Sequence, residues 1–257
     1  MEKTNINRLL HVFVPFIIMV MTQNLLLLLW DRIGFVSVLG DIIAFVLASA
    51  VAVIFFCAKP LARSEDDDSF LHKKSGVTRC TMHLFFCMAM LIISMHLTSL
   101  ITANYNSTST EFDLLYIISL ILIHPIVEEY IFRGLFYGEL RKINPVFGII
   151  AQAIMFAIVH NTIDGMTYAL IAGVFLGAAE EKTGRLYVPI LAHIFINTRS
   201  LLYITLLSDH DALRRVVDIS VISVGVLAFF ILLLLKNLRG EKKPADEEVK
   251  TEWTEIE

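Results

Sequence analysis

Apolar residues run through the chain in eight long stretches, at about 9–30, 34–58, 80–103, 113–137, 145–161, 165–181, 186–207 and 216–236, parted by short polar connections. A helix rises 1.5 Å per residue, so about 20 apolar residues cross the hydrocarbon layer of a bilayer. The pattern predicts an all-α fold: a polytopic integral membrane helical bundle of about eight transmembrane helices over residues 1–236. The fifth and sixth stretches are short and interrupted by Gly. Residues 237–257 are charged, carry Trp253 as their one aromatic residue, and read as a disordered cytoplasmic tail. The connection 59–79, with Glu65-Asp66-Asp67-Asp68, reads as a solvated cytoplasmic connector.

Composition agrees with this pattern. The chain has 257 residues, of which 56% are hydrophobic, and a mean hydropathy of +0.71. That is too apolar for a soluble domain of this length. Lys and Arg then set the orientation, because cytoplasmic loops carry the excess of cations. With the N-terminus inside, the inner segments hold Lys3, Arg8, Lys59, Arg63, Lys73, Lys74, Arg79, Arg141, Lys142, Lys182, Arg185 and Lys236, followed by the tail cations. The outer loops hold Arg32, Arg214 and Arg215. Eight spans in a cell membrane, with both termini cytoplasmic, follow from that bias. The first stretch is too long for a cleavable signal peptide and lacks a small-residue cleavage site after it. The formal net charge of −4 comes with no basic patch of the kind that reads nucleic acid. Cys57, Cys80 and Cys87 show no pairing or metal spacing and are expected to be packing residues. Asn106-Ser107-Thr108 matches a glycosylation sequon, a pattern common by chance.

Charge inside an apolar stretch is the informative exception. Glu128, Glu129 and Arg133 sit among Leu, Ile, Phe and Tyr. Each such group costs roughly 2.5–3.5 kcal/mol near the middle of a bilayer on insertion scales, so its default reading is a functional site. Glu129 and Arg133 are four apart and share a helix face. The plainer reading of that pair is a structural ion pair. Glu128 lies about 100° away round the helix, without a cation at i+3 or i+4, and is left as the carboxylate for proton transfer. Two later stretches each put a histidine four residues from a partner on one helix face: Phe156 with His160, and His193 with Asn197. A lone histidine in a helix is more often a satisfied core residue, but two of them beside an unpaired carboxylate shift the balance. Glu128 lies 16 residues before Asn144 and His160 lies 16 after it, which makes them level in an antiparallel pair. His193 is either at that depth or nearer the inner face. Gly165, Ala169, Gly173 and Gly177 form a small-residue stripe, read as packing within the molecule rather than a homodimer face.

Glu128-Glu129-x-x-x-Arg133, Phe156-x-x-x-His160 and His193-x-x-x-Asn197, in that order over about 113–207, resemble the CPBP family. This family comprises the type II CAAX prenyl proteases and the bacteriocin-processing or self-immunity membrane proteases. Pro125 and Phe132-Arg133-Gly134 also match the surroundings of the first motif. His124 departs from the small residue expected there, and is read as bonding to another helix rather than tuning Glu128. The resemblance implies peptide-bond hydrolysis inside the membrane, with 113–207 as the protease core and a membrane-associated peptide or protein as substrate, in bacteriocin processing or self-immunity.

The residues fit such chemistry on their own terms. No Ser or Cys is placed as a nucleophile, so water attacks directly. Glu128 is then the general base and His160 holds the water. His193 and Asn197 donate to the oxyanion, and Glu129, Arg133 and Phe156 support the site. A zinc version stays open, with Glu128, His160 and His193 as three ligands; the metal-free version, with no cofactor, is preferred because Glu129 is taken by Arg133. Two other classes remain. Buried charges also line transporter pathways, although no internal repeat is evident here. A non-catalytic scaffold or regulator would use the same fold and tolerate Glu128→Gln. The sequence is silent on oligomeric state.

Overall fold

The computed structural model describes residues 3–58, 75–102, 113–207 and 209–240. A bilayer core offers no water to main-chain N–H and C=O groups, so a chain this apolar satisfies them within helices. All regular structure among the described residues is helical. The helices are α1 (Lys3–Ile33), α2 (Val38–Ala58), α3 (Val77–Thr102), α4 (Leu114–Leu140), α5 (Pro145–Ile158), α6 (Ile163–Thr183), α7 (Tyr187–Thr205) and α8 (Asp211–Gly240). Seven of these are long and apolar enough to cross a membrane. The eighth, α5, has 14 residues and reaches about 21 Å, short of the roughly 30 Å hydrocarbon layer. Leu25, Leu28, Leu227 and Phe230 are exposed on the outer faces, as lipid contact requires. The chain is a multi-pass membrane protein.

Several sequence expectations shift at their boundaries. α8 continues to Gly240, so the expected tail begins inside a helix, and residues 241–257 lie outside the described residues. So do most of the acidic connector (59–74) and the sequon at Asn106. Cys80 and Cys87 are buried, whereas Cys57 is exposed.

Local chemistry sets the helix ends. The turn after α1 uses Gly34 at φ +73°, and Ser37 Oγ caps α2 by accepting from Gly40 N at 3.1 Å. Asn144 caps α5, accepting from Phe147 N at 3.0 Å, with Pro145 as the first helical residue. Gly184, at φ +60°, closes α6 with its N–H on Glu180 O. Two ties fix which ends lie together. Arg8 near the start of α1 pairs with buried Glu139 at the end of α4. Ser75, just before α3, donates its N–H to Thr183 O at 2.9 Å at the end of α6.

Two apolar cores flank the site. One gathers Phe16, Phe132, Phe136 and Phe156 from α1, α4 and α5. The other gathers Leu91, Leu176, Val188 and Ile196 from α3, α6 and α7. The small-residue stripe of α6 packs within the molecule against α5. A Cβ on Gly173 would stand 2.9 Å from Ala153, and one on Gly177 would stand 2.5 Å from Gln152 Nε2. Gln152 uses that closeness to donate to Gly173 O at 2.7 Å.

Candidate active site

The site is built on an irregular stretch of α4. Ser119–Ile123 and Tyr130–Tyr137 are wound as π turns, on either side of His124–Glu129. The His124 N–H bonds Ser119 O, five residues back. In that register the next donor would be the N–H of residue 125, serving Leu120 O. Residue 125 is Pro and has none. Leu120 O is served instead by Asn197 Nδ2 of α7, at 2.9 Å. One sequence feature, Pro125, therefore explains why α4 carries an open carbonyl and why α7 brings an amide to it.

Glu129 is fully buried, and its Oε1 accepts from Arg133 Nη1 at 2.9 Å, the expected i,i+4 pair. The same oxygen lies 2.8 Å from His193 Nδ1 on α7. The expectation that Arg133 alone occupies Glu129 is corrected here: α4 is also bound through this carboxylate to α7. Glu129 Oε2 and Arg133 Nε and Nη2 are buried and find no hydrogen-bond partner among the described residues. The guanidinium lies over the Phe156 ring, 4.4 Å from its centroid, a contact that stabilises a desolvated cation.

The two histidines have defined outer bonds. His193 Nδ1 faces a carboxylate, an acceptor, so it carries the proton. His193 Nε2 then points to Glu128, 3.7 Å from Oε2. His160 Nδ1 lies 2.8 Å from Phe156 O. A carbonyl only accepts, so this nitrogen also carries the proton and Nε2 is the open one. Helix α5 ends at Ile158, and His160 stands in the connection to α6 with its N–H on Ala157 O. It is therefore not on a helix face, as the sequence suggested. The turn arises because Thr162 opens α6, its hydroxyl accepting from Gly165 N at 3.0 Å.

Glu128, His160, His193 and Asn197 line a single cavity of about 400 Å³, together with Phe156, His124, Tyr168 and Gln23. Phe156 contacts both histidine rings, with centroids 4.9 Å from His160 and 5.9 Å from His193. His124 reaches another helix by packing edge-on against Phe45 at 4.3 Å, not by the expected hydrogen bond; its buried Nε2 has no partner among the described residues. Among the described residues no three His, Cys, Asp or Glu side chains form a metal-ligand set.

Sequence reasoning missed a second polar cluster. Arg199 on α7 holds Asp218 on α8 through Nε–Oδ1 at 2.7 Å and Nη2–Oδ2 at 2.5 Å, and Tyr203 adds a hydrogen bond to Asp218 at 2.9 Å. His96 on α3 lies 3.0 Å from the same carboxylate. A charge of each sign inside two predicted spans was the available signal. The cluster clamps α3, α7 and α8 together and lies outside the cavity.

Comparison with known proteins singles out the same helices. The family described as Rce1-like, "Type II CAAX prenyl endopeptidase Rce1-like", matches residues 110–199. "Putative membrane peptidase YdiL" of Bacillus subtilis (strain 168) is 34% identical over 78 residues, 30% of this chain and 32% of that protein. "Membrane-embedded CAAX protease MroQ" of Staphylococcus aureus (strain USA300) is 26% identical over 142 residues, 50% of this chain and 57% of that protein. The chain thus matches less than two thirds of the length of either relative. No solved structure matches.

Proposed function

We propose that this chain, which matches the Rce1-like family model over residues 110–199, is an intramembrane endopeptidase of the CPBP type. It hydrolyses a peptide bond of a membrane-associated peptide or protein with water activated by Glu128. The observation that carries this reading is that Glu128, His160, His193 and Asn197, drawn from three separate segments, line one cavity.

Each group has a task that its bonds allow. With Nδ1 donating to Phe156 O, His160 offers the Nε2 lone pair as acceptor for one proton of the attacking water. Glu128 takes the other proton as the water oxygen bonds to the substrate carbonyl carbon. The carbonyl π pair moves to oxygen. Asn197 spends one amide proton on Leu120 O and has a second for that oxyanion. His193 adds a donor from Nε2 when both ring nitrogens are protonated. In that state the cluster balances, two carboxylates against Arg133 and His193. Collapse breaks the C–N bond, and Glu128 hands its proton to the leaving amine.

The metal-free version is the one proposed, with zinc on Glu128, His160 and His193 as the alternative. A role in bacteriocin processing or self-immunity, a cell-membrane location and cytoplasmic termini complete the proposal. They rest on the family and on the loop cations. The test is reconstitution in proteoliposomes with a panel of membrane-tethered peptides, read by mass spectrometry for new termini. Cleavage at a defined bond is expected. Peptides left whole, with solute flux across the vesicle, would favour a transporter.

A further inference from the structure

A second cavity, of about 480 Å³, lies between α3, α6 and α8 at the end of the bundle where Ser75 bonds Thr183. Its chemistry is divided. Arg79 from the first turn of α3, Lys182 from the last turn of α6 and Lys236 from α8 line it together with Phe86, Phe229 and Leu232. None of the lining residues is acidic, and none of the three cations pairs with a carboxylate among the described residues.

The shape follows from packing. Gly225 lets α8 touch α3 so closely that a Cβ there would stand 2.3 Å from Ala89. Beyond that contact, Phe86 of α3 and Phe229 of α8 stack at 5.1 Å and both line the cavity. The result is a cavity in which apolar side chains and three cations share the lining.

We propose that this slot binds one anionic glycerophospholipid, its phosphate on Arg79, Lys182 and Lys236 and an acyl chain along Phe86, Phe229 and Leu232. Charge complementarity selects the headgroup, since basic pockets between transmembrane helices favour anionic lipid. The apolar lining offers an acyl chain contacts that a free phosphate would leave unused. The slot is separate from the Glu128 cavity: α6 forms the wall between them, turning Phe175 and Ala179 to the lipid slot and Tyr168, Ala172 and Leu176 to the other side. The proposal does not depend on proteolysis.

Native mass spectrometry of the full chain in detergent tests it, with phosphatidylglycerol, phosphatidylcholine or inorganic phosphate added. One phosphatidylglycerol should be retained, and phosphatidylcholine should not. Arg79→Gln, Lys182→Gln and Lys236→Gln should each weaken retention about fivefold, in line with about 1 kcal/mol per cation at a membrane surface. Leu232→Trp should block it with the cations intact, and Arg32→Gln at the far end of α1 should leave it unchanged. Equal retention by the Gln variants, equal retention of phosphatidylcholine, or full displacement by inorganic phosphate would each overturn the assignment. So would no retention by the wild-type chain.

Discussion

His193 Nδ1 and Glu129 Oε1 lie 2.8 Å apart, joining two helices across 64 residues of sequence. Glu129 thus both pairs Arg133 and fixes which nitrogen of His193 faces Glu128. Removing one partner of a buried pair typically costs about 3–5 kcal/mol, so Glu129→Gln is expected to lower thermal stability and turnover together. Adding Arg133→Met should recover part of the stability and little of the turnover, because His193 then faces a neutral amide in place of a carboxylate. Melting and turnover of the single and double variants, measured on the same detergent samples, check both halves.

Asn197 has a structural duty as well as its proposed chemical one. Asn197→Ala leaves Leu120 O without its donor, at a cost of about 1–3 kcal/mol. Pro125→Ala supplies a main-chain N–H to the same region. The double variant is therefore expected to be more stable than the sum of the two single changes predicts. Additive melting shifts would show that Pro125 and Asn197 are not coupled through Leu120.

Much of this was legible in the sequence, for a physical reason. A charge in an apolar span is costly, so Glu128, Glu129 and Arg133 stand out without any structure. The four-residue spacings of Glu129 with Arg133 and of His193 with Asn197 translate directly into helix faces. Legibility ended where a contact depends on winding or on tertiary approach. A π turn shifts the register by one residue, and in an apolar run it leaves no periodic trace, so the open Leu120 carbonyl was invisible. The bond from Glu129 to His193 needs α4 and α7 side by side. The end of α5 at Ile158 depends on Thr162 capping the next helix, which moved His160 off the expected face. Arg199 and Asp218 are 19 residues apart in two different stretches, and their pairing depends on α7 meeting α8.

Sidedness follows from the loop cations alone. In a chain whose three native cysteines are changed to Ala, Asp66→Cys and Ala245→Cys should be equally protected from an impermeant reagent added outside intact cells. Labelling of one and not the other would break the eight-span topology.

The proposed metal-free mechanism predicts that exhaustive chelation leaves turnover on a cleavable substrate unchanged. Loss of turnover, restored by one equivalent of zinc, would instead assign Glu128, His160 and His193 as ligands brought together by the metal.

The central claim is that Glu128 removes a proton from water. Glu128→Gln keeps the shape of the side chain and its capacity to hydrogen-bond, and abolishes the base. General base catalysis contributes about 10²–10⁴-fold, so turnover of a membrane-tethered peptide by Glu128→Gln should fall by that order while its melting temperature stays close to that of the parent. Parental turnover by a folded Glu128→Gln chain would contradict the mechanism.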